Sequence, residues 1–259
     1  MKALGLMVVI VVGALLLYAV GDFPAWGDPQ SPASQHEISR HFITQAIPET
    51  AVPNMVTAVL ADYRGYDTMF ETVVIFTAGL AIIGILGMAR LTDRESLKPM
   101  AETKPGDRDM IVINTCRLVI PIMQLFALYV VAHGHHSPGG GFQGGVILGA
   151  SFILWAIARD LPTALQGIKP RRIVFLAALG VVIYAGTGAL SLALDAKLLD
   201  YSALHGFLPP APADGVPNEI MARSHGMLVV EIGVAFTVSA IMFGIYTYLS
   251  SMGRLKGGL

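Results

Sequence analysis

Six long apolar runs, divided by polar segments, constrain this chain more than any other feature. Of its 259 residues, 54% are hydrophobic and 14% are charged, and a soluble core would not gather its apolar residues into runs of this length. At 1.5 Å per residue, each run gives a helix long enough for a hydrocarbon core of ~30 Å. We therefore predict an all-α integral membrane protein with about six transmembrane helices. The runs cover residues 3–20, 72–89, 110–132, 142–158, 173–194 and 226–249.

The lysines and arginines predict the orientation of these helices. With the amino terminus inside, twelve of them fall in cytoplasmic segments and four in outer segments, while Arg117 lies within a span. Because cytoplasmic loops carry an excess of basic residues, both termini are predicted to be cytoplasmic in a multi-pass protein of the cell inner (plasma) membrane. The first run could instead be a signal peptide, but its apolar stretch exceeds the usual length of about 7–15 residues, which favours a retained helix.

A glycine-rich segment joins the third and fourth predicted helices. It runs from His133 to Gly145 and contains six glycines together with Pro138, so the chain can turn tightly and re-enter the membrane. Gly141, Gly145 and Gly149 recur at intervals of four residues, which places them in one row on the following helix. Such a row of small residues is typical of a face that packs closely against another helix.

The usual motifs of catalysis and cofactor binding are missing from the sequence. Gly139, Gly141 and Gly144 have the GxGxxG spacing of a dinucleotide site, but no strand precedes them. Cys116 is the single cysteine, so there is neither a disulfide framework nor a paired-cysteine metal site. We therefore expect no catalytic residue, no cofactor, no metal site and no nucleic-acid partner. Any redox activity would lie in partner subunits.

Ionisable residues inside the spans are the candidates for an ion pathway, because a charge in hydrocarbon costs ~2.5–3.5 kcal/mol on insertion scales. Arg117 could reach the cytoplasmic interface as an anchor or line a pathway. Glu231 has a short side chain, so it must pair, line water or be protonated. Glu71 and Asp67 stand one turn apart at the outer mouth of the second span, where they could attract cations or stabilise the amino end of the helix.

All seven histidines are predicted to lie on or near the outer face. They could simply bond neighbouring carbonyls, form a zinc or copper site, or make a proton-collecting surface, since imidazole titrates near ambient pH. No lysine lies inside any predicted span, although a carrier that works by charge relay needs several buried acid and base groups. The chain by itself therefore looks incomplete as a carrier. The histidines are His36, His41, His133, His135, His136, His205 and His225.

A charged segment divides the chain into two parts. Ten charged residues and two prolines fall within residues 90–109, which is typical of a solvated connector. We predict a two-helix unit at residues 1–90, a cytoplasmic connector at residues 91–109 and a four-helix unit at residues 110–259.

Two stretches carry a resemblance to a known family. Residues 106–250, in which Asn114-Thr-Cys-Arg117 opens a helix and Ala132 to Gly145 closes it, resemble the B component of the Mrp-type multisubunit Na⁺/H⁺ antiporters, the MnhB/MrpB family. The specific signal is His-x-x-x-x-Pro-Gly-Gly-Gly-Phe-x-Gly-Gly. Residues 1–90, particularly Val59 to Glu71, resemble the carboxy-terminal end of the large A component of the same antiporters. In membrane-bound hydrogenases that end is a separate small E-like subunit.

The resemblance implies an accessory subunit that packs against A-, C- and D-like subunits in the lipid bilayer and helps form a passage for Na⁺ or H⁺. Asp67 and Glu71 match acids at the mouth of the family's A-end helix. The family's buried lysines lie in parts that this chain lacks. The remaining motif positions would be structural, namely His133, Pro138, Gly139, Gly140, Gly141, Phe142, Gly144, Gly145 and Gly149.

Three alternatives stay open at this point. The chain could be the equivalent subunit in the ion-translocation module of a membrane-bound hydrogenase or a sulfur-reducing respiratory complex. From another class, it could be a self-contained, outer-facing metal-ion carrier that uses the histidines, or a scaffold that conducts nothing.

Overall fold

The computed structural model describes residues 2–92, 110–211 and 215–251. All regular structure in these ranges is helical, so the predicted all-α fold class is confirmed. The first part contains α1 (Lys2–Val20), α2 (Pro32–Gln35), α3 (Glu37–Thr50), α4 (Met55–Ala58), a π-helical turn (Val59–Tyr63) and α5 (Gly65–Thr92). The second part contains α6 (Met110–Ala132), α7 (Gly141–Arg159), α8 (Leu161–Gly167), α9 (Pro170–Ala193), a 3₁₀ segment (Tyr201–Gly206) and α10 (Asn218–Ser250).

Six of these helices, α1, α5, α6, α7, α9 and α10, are long and apolar enough to cross a membrane. The predicted number of spans is therefore confirmed. Two helices begin well before their apolar runs, α5 at Gly65 and α10 at Asn218. In both cases the helix continues into polar sequence. Hydropathy identifies only the part of a helix that suits lipid, and it does not show where the helix begins or ends. Glu71, which precedes its apolar run, consequently lies inside α5.

The chain forms two compact units, residues 1–45 and residues 46–259. In the first unit, α1 has no buried residue. In the second unit, α10 is the central helix, since 67% of its apolar window is buried, against 39% or less for the other spans. It packs against α9, α7, α5 and the 3₁₀ segment. These compact units differ from the two units predicted from the sequence, which are separated by the connector at residues 91–109. That division stays a prediction.

Glycines let the neighbouring helices approach α10 closely. A Cβ at Gly79 of α5 would lie 2.5 Å from the side chain of Ile241, and one at Gly180 of α9 would overlap with the backbone of Gly233. The row of glycines on α7 faces α10 as well. Backbones can come this close only where side chains are absent. The row lies against three residues of α10 that are also four residues apart. Gly141, Gly145 and Gly149 face Glu231, Ala235 and Ser239, respectively.

Candidate ion-pathway site

The turn between α6 and α7 is compact and depends on glycine. Gly140 has a φ of 123°, a conformation that residues with a Cβ rarely adopt. Its backbone N–H donates to the Val130 carbonyl at 3.2 Å. The chain therefore reverses within a few residues and brings the start of α7 beside the end of α6.

Polar side chains from the segment after α3 hold this turn. The Asn54 side-chain amide donates to the carbonyls of Gly134 at 2.7 Å and Ser137 at 2.9 Å. The Thr57 hydroxyl donates to the Gly134 carbonyl at 2.8 Å, and the Asn54 backbone N–H donates to the carbonyl of His135 at 2.9 Å. These bonds satisfy carbonyls that a tight turn leaves without helical partners. Neither Asn54 nor Thr57 was predictable from the sequence, since single polar residues in a connecting segment give no periodic signal.

Two buried tyrosines satisfy carbonyls where the π-helical turn meets α5. The Tyr201 hydroxyl donates to the Ala61 carbonyl and the Tyr184 hydroxyl to the Gly65 carbonyl, both at 2.9 Å. Both side chains are almost fully buried. Burial raises the pKa of Tyr201, so its hydroxyl keeps the proton that it donates. The beginning of α5 is thereby fixed against α9 and the 3₁₀ segment.

Glu231 occupies a pocket lined by glycine backbone. Only 8% of the residue is exposed. A Cβ at Gly140 would lie 2.7 Å from its Oε1, and a Cβ at Gly134 would lie 2.9 Å from its Oε2. A side chain at either position would displace the carboxylate. The glycines of the turn therefore make room for Glu231 as well as for the reversal of the chain.

His135 faces this carboxylate. Its Nε2 lies 3.9 Å from Glu231 Oε2, which is too far for a hydrogen bond, and neither atom has a hydrogen-bond partner among the described residues. Burial lowers the pKa of His135 to about 4, helped by the nearby His136 and His225. The imidazole is therefore neutral near pH 7, and its Nε2 is a hydrogen-bond donor or an acceptor depending on the tautomer.

A cavity of about 200 Å³ adjoins Glu231. Glu71 lines the same cavity, so the structure brings together two of the four acidic and basic residues that the sequence singled out. The walls come from the segment after α3, from α5, from the start of α7, from α9 and from α10. Their polar members are Thr57, Thr68, Glu71, Thr72, Gln143, Tyr184 and Glu231.

The other two candidates lie elsewhere. Asp67 is exposed and forms an ion pair with Arg64, three residues before it in the chain, and exposed pairs of this kind contribute little stability. Arg117 is exposed on α6 and lines a separate pocket with Arg159. Neither residue lines the cavity of Glu71 and Glu231.

A largely buried ion pair, which the sequence did not predict, joins the π-helical turn to α10. Arg223 Nε donates to Asp62 Oδ2 at 2.7 Å and its Nη1 donates to the Glu49 carbonyl at 3.0 Å. The Tyr63 hydroxyl donates to a carboxylate oxygen of Glu49 at 2.6 Å. Burial raises the pKa of Asp62, and Arg223 opposes this shift. The sequence indicates only an ordinary outer charge at Arg223, because a lone loop arginine carries no signal of its partner.

The remaining motif residues support the turn and its packing. His133 is exposed, its Nδ1 lies 3.2 Å from the Tyr129 carbonyl, and its ring stacks on that of Tyr129. A Cβ at Gly139 would lie 2.9 Å from the Val130 carbonyl oxygen, and one at Gly144 would overlap with the Val131 side chain. Pro138 and Phe142 lie at the surface of the chain, and Phe142 also lines the cavity.

The histidines do not gather into a metal centre in the described part of the chain. Within residues 2–92, 110–211 and 215–251, no three side chains of histidine, cysteine, aspartate or glutamate are arranged to hold a metal ion. His205 Nδ1 lies 3.0 Å from the Ser202 carbonyl, as expected of a loop histidine. The alternative of a metal-ion carrier gains no support from this arrangement.

Curated relatives match either most of the chain or its second part. An uncharacterized protein of Methanocaldococcus jannaschii is 29% identical over 217 residues, which covers 79% of this chain and 77% of that protein. The B component of a Na(+)/H(+) antiporter of Bacillus subtilis is 29% identical over 130 residues, which covers 50% of this chain and 90% of that component.

Two solved structures have the same fold. A chain of the membrane-bound sulfane sulfur reductase, an archaeal respiratory membrane complex, matches with a TM-score of 0.70 and 23% identity, covering 96% of this chain and 97% of that one. A chain of the Mrp complex from Dietzia sp. DQ12-45-1b matches with a TM-score of 0.71 and 24% identity, covering 98% of this chain but 26% of that one.

Two family models match consecutive parts of the chain. The MbhE model, which represents the E component of MBH, matches residues 6–103. The model of domains related to the MnhB subunit of Na⁺/H⁺ antiporters matches residues 111–244, which is just over half of the chain and includes α7, α9 and most of α10. On this match, the chain belongs to the family of domains related to the MnhB subunit of Na⁺/H⁺ antiporters.

Proposed function

We propose that this chain is an accessory membrane subunit of a multisubunit Mrp-type cation/proton antiporter in the cell inner membrane. Its family membership supports this role, as does the similarity to the antiporter component of Bacillus subtilis. Both similar structures are chains of multisubunit membrane complexes, so other subunits are its partners, and A-, C- and D-like subunits are the expected ones. The transported ions would be Na⁺, or another cation, and H⁺.

The chain would combine two functional units of such a complex, residues 1–90 and residues 110–259. The two family models meet near the charged connector, which supports this division. The cavity takes its walls from both ranges, since Thr57 and Glu71 come from residues 1–90 and Glu231 from residues 110–259. Covalent linkage would then ensure that both walls of the cavity are present in every assembled complex.

The cavity of Glu71 and Glu231 would form part of the ion passage. The observation that carries this proposal is the carboxylate of Glu231, which is buried, accepts no hydrogen bond at Oε2 within the described ranges, and adjoins a cavity that a second acid lines. A buried carboxylate without donors is costly unless it pairs, meets water or takes up a proton. A site that exchanges a cation for a proton needs this chemistry.

The test compares Glu231→Gln with Glu231→Ala in the complete complex. The Gln variant keeps the shape and hydrogen-bonding capacity but cannot titrate, so the complex should assemble while exchange falls by at least about tenfold, equivalent to ~1.4 kcal/mol of barrier. Glu71→Gln should lower exchange in the same direction. Glu219→Gln is the matched control, because Glu219 is exposed in the first turn of the same helix.

Antiport would be measured against pH in vesicles, with the amount of assembled complex as the reference. Unchanged pH profiles for both Glu231 variants would remove this residue from the passage and favour a scaffold that conducts nothing. Normal exchange in the Gln variant together with poor assembly of the Ala variant would make Glu231 a structural hydrogen-bonding group.

A second host complex is favoured by two observations. The similar chain in the sulfane sulfur reductase complex is matched over 97% of its length, and the first family model is that of an MBH component. The chain could therefore serve the ion-translocation module of a respiratory complex, with all redox chemistry in partner subunits and no enzymatic activity of its own. Purification in mild detergent and identification of the copurifying subunits separates the two hosts.

A further inference from the structure

A second pocket, separate from the Glu231 cavity, lies between α6 and α7. It has a volume of about 260 Å³ and contains two arginines, Arg117 and Arg159. Arg117 is in the first half of α6 and Arg159 is the last residue of α7. The two antiparallel helices therefore present both guanidinium groups at the same end of the bundle, which the basic residues predict to be the cytoplasmic end.

The two positive charges lack an anionic partner in the described ranges. No ion pair or hydrogen bond joins either guanidinium to residues 2–92, 110–211 or 215–251. Asp160 follows Arg159 directly, but its carboxylate caps α8 by accepting from the Thr163 N–H at 2.9 Å. Arg117 lies seven residues beyond the start of α6, or roughly 10 Å along the helix. A cation at that depth needs an anion or access to the headgroup layer.

The lining of the pocket suits a phospholipid. Trp155 lines the pocket one turn before the end of α7, and tryptophan is enriched at headgroup level. Ile113 and Ile120 provide an apolar wall against which an acyl chain can lie.

We propose that this pocket binds the phosphate of an anionic phospholipid, with Arg117 and Arg159 as the groups that recognise it. Guanidinium groups bind phosphate oxygens through parallel N–H bonds, and basic pockets between transmembrane helices on the cytoplasmic side are suited to lipid headgroups. A phospholipid also accounts for the apolar wall, which a free phosphate ion would leave uncovered.

The test measures lipid retained by the full-length chain after reconstitution into nanodiscs of phosphatidylglycerol and phosphatidylcholine and return to detergent. Native mass spectrometry should find phosphatidylglycerol on the wild-type chain. The Arg117→Gln/Arg159→Gln variant should retain less of this lipid, by a factor of about ten or more. Arg171→Gln is the matched control, because Arg171 is a basic residue at the same end of the bundle that does not line the pocket.

Three results would overturn the proposal. Equal retention by the wild type and the double variant would show that lipid binds elsewhere. Loss of the bound phosphatidylglycerol in the presence of millimolar inorganic phosphate would identify a phosphate ion site. Retention by the isolated chain but not by the assembled complex would show that a partner protein occupies the pocket. A loss confined to phosphatidylglycerol, with the double variant still folded by size-exclusion chromatography, would support it.

Discussion

Replacing the glycines of the α7 row by alanine should destabilise the protein increasingly in the order Gly149, Gly145, Gly141. The row packs against the backbone of α10, and the space for a Cβ decreases along it. At Gly149 the nearest atom would be Met242 Cβ at 3.1 Å, and at Gly145 the Ala235 carbonyl oxygen and Val238 Cβ, both at 3.0 Å. At Gly141 the new Cβ would overlap with the Glu231 carbonyl, whose carbon would lie 2.7 Å away.

Two opposing terms set the magnitude. Alanine is a better helix former than glycine by ~1 kcal/mol, whereas overpacking costs about 1–3 kcal/mol or more. The terms should nearly cancel at Gly149, where no atom would lie closer than 3.1 Å and the two helices need to separate by only a few tenths of an ångström. At Gly141 only movement of a whole helix relieves the overlap, so the overpacking cost lies at the upper end of this range and we expect a net loss of about 2 kcal/mol. For a chain of this size that loss lowers the melting temperature by roughly 4–8 °C.

The assay is the fraction of monodisperse chain that remains after heating in detergent, measured by size-exclusion chromatography. Gly186→Ala is the matched control, because Gly186 lies in a transmembrane helix and a Cβ there meets no atom within 4 Å. This variant should be as stable as the wild type or more stable. If Gly141→Ala were as heat-stable as Gly186→Ala, the close contact between α7 and α10 would be refuted.

Three further predictions concern charge and activity. The isolated chain should show no cation/proton exchange in proteoliposomes, because no lysine for charge relay lies within its six apolar runs, and exchange by the chain alone would contradict the accessory role. Arg223→Gln should lower the free energy of unfolding by about 3 kcal/mol at pH 7.5, because it leaves Asp62 buried and unpaired. Burial then raises the pKa of Asp62 without opposition from Arg223, so the loss of stability relative to wild type should be smaller at pH 5. An equal loss at both pH values would argue against the ion pair. His135→Gln should reduce the loss of stability in acid, because the pKa of His135 is about 4 in the folded chain against 6.5 in the unfolded one. The stabilising contribution of the neutral imidazole is therefore present above pH 6.5 and is lost as the pH falls toward 4. An identical decrease in melting temperature with falling pH in variant and wild type would contradict this.

Helix number and the packing face of α7 could be predicted because both depend on local sequence. Lipid requires an apolar side chain at nearly every exposed position of a span, so hydropathy alone identifies the six helices. The four-residue spacing likewise places Gly141, Gly145 and Gly149 on one side of α7 whatever surrounds them. The spacing did not predict which helix they meet, since α7 is followed by several helices of similar composition. The predicted start of the last span, residue 226, is eight residues later than the start of α10 at Asn218, because the first turns of that helix are polar.

The candidate site depended on contacts between residues distant in the chain. Glu71 and Glu231 were each predicted from the cost of a charge in an apolar helix, but only packing of α5 against α10 brings them to one cavity. Arg223 pairs with Asp62 across 161 residues and Asn54 holds the Gly134 carbonyl across 80, and no periodicity in the sequence links such partners.

The sequence by itself therefore determined the membrane class, the number of spans and the family, because hydrophobicity and motif spacing are properties of short segments. The tertiary structure alone decided which charges are buried and which are paired. A carboxylate such as Glu231 or a guanidinium such as Arg223 has the same local sequence signal in water, in lipid or in a protein interior. Its free energy, and hence its role, depends on the groups that folding places within a few ångströms of it.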